Sequence, residues 1–177
     1  MHVRNLIFTS LIGTALAVDN PVIYWDSQAV TAVGSITPGQ QSVIAGRSYA
    51  IFSGALWGAA HETRHAKAGK NVENAAIAYA GHNVLAGFFP NLSRNFDNAL
   101  KAYLAQIRTE GGKEAEIVKG KKVGQDVAKK LLKKRLDDGY NNYVPFNGTW
   151  TATGPLPPAG EYIPTPPNNA FPPATPQ

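Results

Sequence analysis

The chain has no cysteine in its 177 residues. That excludes disulfide staples, thiolate metal sites and a thiol nucleophile, so an extracellular product must be held together by packing alone. Beyond the first seventeen residues there is no apolar run near the roughly twenty residues that cross a bilayer, which predicts no membrane span. A glycine-rich phosphate loop and a G-x-S-x-G nucleophile elbow are also missing. What is present suffices for one domain with a real core: 44% hydrophobic and 10% aromatic residues, too many for a chain disordered throughout. The net charge of +5 and a pI near 9.5 permit anionic partners, but an excess this modest reads as a solvated exterior.

The N-terminus, MHVRNLIFTSLIGTALA, carries Arg4 in a short polar start, an apolar run from Leu6 to Ile12, and Ala15-Leu16-Ala17 as a small-x-small site. This predicts a secretory signal peptide over 1–17, cleaved after Ala17, with Asp19, Asn20 and Pro21 arriving too soon for a membrane anchor. The product is therefore expected to be secreted. Two sequons, Asn91-Leu92-Ser93 and Asn147-Gly148-Thr149, are its glycosylation candidates.

The fold class expected is all-α: a bundle of about five helices over 18–139, followed by an extended Pro-rich strap over 140–177. Asn20-Pro21 is an N-cap followed by a first-turn proline, and Val22, Trp25, Ala29 and Val33 then recur at helical spacing. A second helix after Pro38 aligns Ile44, Ile51, Ala55 and Ala59. On an adjacent stripe Gly54 and Gly58, four apart, predict a close helix–helix approach. The third, Val72 to Phe89, is small or apolar all round and so is expected at the centre, with Pro90 ending it. The fourth starts near Ser93, buries Phe96, Leu100, Tyr103, Leu104 and Ile107, and stops at Gly111-Gly112. The fifth is expected from Lys113 to Asp138, burying Ile117, Val127, Leu131 and Leu136, with Gly139 as its cap. Ten of the thirteen prolines then fall from Pro145 onward; with Tyr162, Ile163 and Phe171 among them, the segment reads as a strap laid on a surface rather than a linker.

Residues 61–65, HETRH, fit the H-E-x-x-H pattern in which two histidines on one helical face bind zinc and the glutamate activates a metal-bound water. His61, Glu62 and His65 are thus the zinc alternative. Against it, Arg64 occupies a position that buried zinc-peptidase helices keep uncharged, and Ala68 stands where the longer pattern has glycine. A third ligand would have to be Glu73, if the chain turned back after Gly69, or His82, if the third helix lay at the right height. The reading adopted is a solvated helix end, where Arg and His suit the helix dipole, and no metal. His82, among small and apolar residues, is expected to be a satisfied core or interface histidine, since a functional role needs a carboxylate or ligand beside it. The fifth helix holds nine of the seventeen basic residues, but acidic residues are interspersed and no aromatics are interleaved for base stacking, so a solvated face and no nucleic-acid partner are expected.

Several stretches carry a family resemblance: PVIYWDSQAVTAV, AGRSYAIFSGALWGAA, AAIAYAGHNVLAGFFP, the DDGY after the basic helix, and GEYIPTPPNNAFPPATPQ. Together, in order, they resemble the N-terminal part of secreted vanadium-dependent haloperoxidases, in the type 2 phosphatidic acid phosphatase superfamily. The second helix departs from that pattern, with Ser53 and Gly58 where the family has a histidine and an acidic residue. The resemblance implies an all-helical supporting half, with vanadate as cofactor of the full-length family only. The family's pocket draws on a lysine followed by an Arg-Pro, a Ser-Gly-His, and an arginine followed by a late histidine. Here Ser53-Gly54 is followed by Ala55, no arginine precedes a proline, and no histidine follows His82. No catalytic or cofactor-binding residue is therefore carried over. Gln177 falls about where the catalytic half would begin, so the implied partner is that half or a second copy of the chain. The alternatives are a zinc hydrolase on HETRH and a stand-alone secreted binding module.

Overall fold

Asn20 caps the first helix as its sequence suggests: its Oδ1 accepts hydrogen bonds from the amides of Val22 and Ile23 at 2.9 and 3.4 Å, two donors a helix start otherwise leaves unpaired. In the computed structural model, which describes residues 18–36, 41–135 and 138–139, this cap opens α1, Pro21–Gly34. It is followed by α2, Gln41–His65, α3, Lys70–Phe88, a 3-10 turn at Pro90–Leu92, α4, Ser93–Thr109, and α5, Glu114–Lys134. The all-α expectation is met, with no strand among the described residues. The expected signal peptide over 1–17, Leu136 and the Pro-rich segment from 140 lie outside the described residues, as do the side chains of 41–44.

Helix α3 is the central element and packs against all four others. Its Ala75, Ala76, Ala78, Ala80, Gly81, Val84 and Leu85 are buried. Such small residues let neighbours come close: a Cβ on Gly81 would lie 3.0 Å from the Trp25 ring and 3.1 Å from Leu56. Seating Trp25 in that slot sets the rotation of α1. The buried face is Pro21, Trp25, Ala29 and Ala32: the expected Trp25 and Ala29 hold and Val33 packs partly buried against the core, while Val22 is left 46% exposed.

On α2 the expected stripe holds for Ile51, Ala55 and Ala59, joined by Phe52 and Leu56. Gly54 and Gly58 face α5, where a Cβ would meet Leu131 at 3.6 Å and Val127 at 2.9 Å. Helix α4 buries Phe96, Tyr103, Leu104 and Ile107, and Gly111, at φ +87°, turns the chain where the Gly-Gly stop predicts.

Helix α5 differs most from expectation. Ile117 is buried, but Val127 and Leu131 are only partly so, and the fully buried positions are Gly120, Gly124 and Ala128. At Gly120 and Gly124 the absence of a side chain lets the α5 backbone lie against α3. The helix also stops at Lys134, four residues before Asp138. There Arg47 on α2 donates from Nη2 to the Arg135 carbonyl at 2.9 Å and to the Asp138 carboxylate at 3.2 Å. Gly139, expected as the cap, has φ +85° but lies beyond that turn. No helix among the described residues is long and apolar enough to cross a membrane.

Candidate functional site

The HETRH segment closes α2. Thr63 anchors it from within, buried and donating its hydroxyl to the Ala59 and Ala60 carbonyls at 2.8 and 3.0 Å, while His61, Glu62 and His65 are all exposed. The chain does turn back at Gly69, with φ +88°, and brings Glu73 towards α2. That carboxylate goes to Arg64, with Nη2 at 2.7 Å and Nε at 2.8 Å. The hydrogen bond to Glu73, and then its charge, hold the Arg64 guanidinium above its ordinary pKa. The third position a zinc peptidase would need is thus spent on an ion pair. No cluster of three or more metal-ligating side chains occurs among the described residues.

Sequence reasoning missed what lies on the other side of the motif. Trp57 stacks on His61, ring centroids 5.0 Å apart and planes at 27°. His61 in turn faces His65 at 6.1 Å and 27°. Positions 57, 61 and 65 are four apart, so each ring lies over the next on one helical face; the spacing was there to be read.

His82 has the carboxylate that the sequence could not place. Its Nε2 lies 2.7 Å from Asp97 Oδ1 on α4, and its Nδ1 2.9 Å from Asn83 Oδ1. The imidazole stands edge-on to Trp25, centroids 6.2 Å apart. With Nε2–H donated to Asp97, Nδ1 meets either the amide group of a reoriented Asn83 or, as imidazolium, its oxygen. In both cases each ring nitrogen is engaged, and the residue joins α3 to α4 against α1. Beside it the indole Nε1 of Trp25 is buried with no hydrogen-bond partner.

Two concavities flank these elements. A cleft of about 410 Å³ lies between the start of α1 and the α2–α3 turn, lined by Asp19, Pro21, Arg64, Lys70, Glu73 and Asn74 among others; its mixed charges suit no single ligand class. A second, of about 300 Å³, lies between α2 and α5, with Ala50, Ile51, Gly54 and Leu131 as floor and Arg47 and Asp138 at its edge. On α5, Lys119, Lys121, Lys122, Lys129, Lys130, Lys133 and Lys134 are exposed, with Asp126 between them. Asn91 is exposed in the 3-10 turn, and Ser53 is exposed on α2, while Asn147 falls outside the described residues.

No family model matches the sequence, and no curated protein and no solved structure matches it either.

Proposed function

We propose that the chain is the N-terminal supporting half of a secreted vanadium haloperoxidase-like or acid-phosphatase-like protein, inactive until a catalytic half joins it. The resemblance of its helical stretches and of its C-terminal Pro-rich stretch to that family, in order, motivates the reading. The observation that carries it is the use made of His82. The imidazole best enclosed by the fold is committed at both nitrogens, and the group beside it is the Asp97 carboxylate. An anionic vanadate or phosphoryl centre needs converging cations and a free histidine nitrogen, and a carboxylate at that point repels it. The residues here do not fit such a centre, and no reaction step is assigned to them. They fit a scaffold in which α3 fixes the positions of α1, α2, α4 and α5.

The test is a comparison of residues 18–177 with the same residues joined to the chain encoded downstream of codon 177. Halide oxidation with vanadate and peroxide, and phosphate-ester hydrolysis, are expected at background for the first. One of the two activities is expected for the second. Vanadate-dependent turnover by residues 18–177 alone would overturn the reading.

A further inference from the structure

Among the described residues, the exposed ladder on α2 is a cluster of coordinating side chains that neither the core nor the proposed scaffold role uses. His61 and His65 stand one helical turn apart with their rings face to face, 6.1 Å between centroids and 27° between planes. The helix is intact through this turn, since the Ala66 amide still donates to the Glu62 carbonyl at 3.1 Å, and buried Thr63 holds it against the bundle. The register that places both imidazoles on one side is therefore fixed in advance. Trp57 restrains the His61 ring further by stacking on it. The neighbouring cation, Arg64, is paired with the Glu73 carboxylate, so its charge is compensated and does not oppose a metal ion.

We infer that His61 and His65 form a two-histidine clip on the surface of α2 that takes a borderline divalent transition metal, with water completing the coordination. Imidazole nitrogen suits copper, nickel and zinc and does not suit magnesium or calcium. With geometry imposed by only two ligands, affinity follows the inherent order of the ions, so copper(II) binds more tightly than nickel(II) or zinc(II). The clip differs from a zinc-peptidase centre in both burial and ligand number: it is open to water and holds its ion exchangeably. The second imidazole binds intramolecularly once the first is attached, which is the source of its affinity over a lone surface histidine.

Trp57 makes the clip observable. Copper(II) held beside an indole quenches its emission, and Trp57 is 69% exposed and in contact with His61. The experiment titrates residues 18–177, free of any affinity tag, with copper(II), nickel(II), zinc(II) and magnesium salts while following tryptophan emission and, by calorimetry, stoichiometry. One copper ion per chain is expected, with weaker nickel and zinc binding and no response to magnesium. His61→Ala and His65→Ala should each weaken copper binding about a hundredfold, the loss of the intramolecular second bond. The pair His65→Ala with Ala66→His keeps the histidine count but breaks the spacing, and should weaken it equally. Trp57→Phe should retain the calorimetric signal and lose the quenching. Circular dichroism checks that each variant remains helical, and His65→Gln replaces His65→Ala if that variant unfolds. Copper affinity that survives His61→Ala, the His65 substitution or the respaced pair would overturn the inference, as would equal affinity for magnesium.

Discussion

The α5 backbone at Gly124 lies against the α3 backbone at Ala76: a Cβ placed on Gly124 would sit 2.3 Å from the Ala76 carbonyl oxygen and 2.9 Å from the Ala80 nitrogen. Both obstacles are main chain in the middle of the central helix, and neither yields as the tip of a side chain does. Gly54, on α2 and facing α5, is a helical glycine of the opposite kind; its Cβ would meet only the tip of Leu131, at 3.6 Å.

Opposite outcomes are expected for the same substitution at these two sites. Gly124→Ala gains the helix preference of alanine over glycine, up to about 1 kcal/mol, but forces α5 away from α3 and should cost about 1–3 kcal/mol net or prevent folding. Gly54→Ala gains the preference at ordinary van der Waals contact and should stabilise by about 0.5–1 kcal/mol. Urea midpoints of the two variants against the parent check this, and a stabilising Gly124→Ala would mean that the helices are not in backbone contact.

The same contact explains which parts of the fold were legible in sequence. The α1 start was readable because Asn20-Pro21 is a local signal, complete within three residues, and the central place of α3 followed from its small apolar composition. The α5 face was misread because a periodicity of hydrophobic side chains weights Val127 and Leu131 and gives no weight to Gly120 and Gly124, where the packing closes. The partner of His82 was not readable at all. Asp97 is fifteen residues away on another helix, and only the turn at Pro90–Leu92 brings it to the ring. The Trp57–His61–His65 ladder, by contrast, is a spacing of four that the peptidase motif drew attention away from.

Tyr103 sets an alkaline limit on stability. Its side chain is buried and donates to the Asp19 carbonyl at 2.8 Å. Burial, aided by the charges of Asp19 and Glu110 and by neighbouring Tyr24, raises the phenol well above its ordinary value of 10.0. The sign follows from linkage: above pH 10 the unfolded chain releases this proton while the folded chain keeps it, so the stabilisation is complete below the unfolded pKa and declines as pH rises past it. Tyr103→Phe should be less stable at neutral pH, by about 0.5–1.5 kcal/mol for the lost hydrogen bond, and should fall less steeply than the parent between neutral and strongly alkaline pH. Thermal midpoints across that range check the difference in slope; parallel curves would contradict it.

The last expectation joins the cleavage site expected after Ala17 to the fold. The Val18 amide donates to the Glu110 carboxylate and the Asp19 amide to Gln106 Oε1 at 3.3 Å, while Gln106 Nε2 returns a hydrogen bond to the Asp19 carboxylate at 3.1 Å. The chain just before α1 is thereby pinned to the end of α4. If the signal peptide is removed after Ala17, Val18 nitrogen ceases to be an amide and becomes an α-ammonium, and the contact with Glu110 becomes an ion pair with a charged donor. This pair lies at the surface, so it should add only about 0.2–1 kcal/mol, and less at high salt. N-terminal sequencing of secreted material should begin at Val18. Glu110→Gln should lower the thermal midpoint of the processed form more than that of a chain still carrying residues 1–17, with the gap narrowing as salt is added. Equal effects on both forms would show that Glu110 holds an ordinary amide and gains nothing from cleavage, and a different first residue would remove the ion pair altogether.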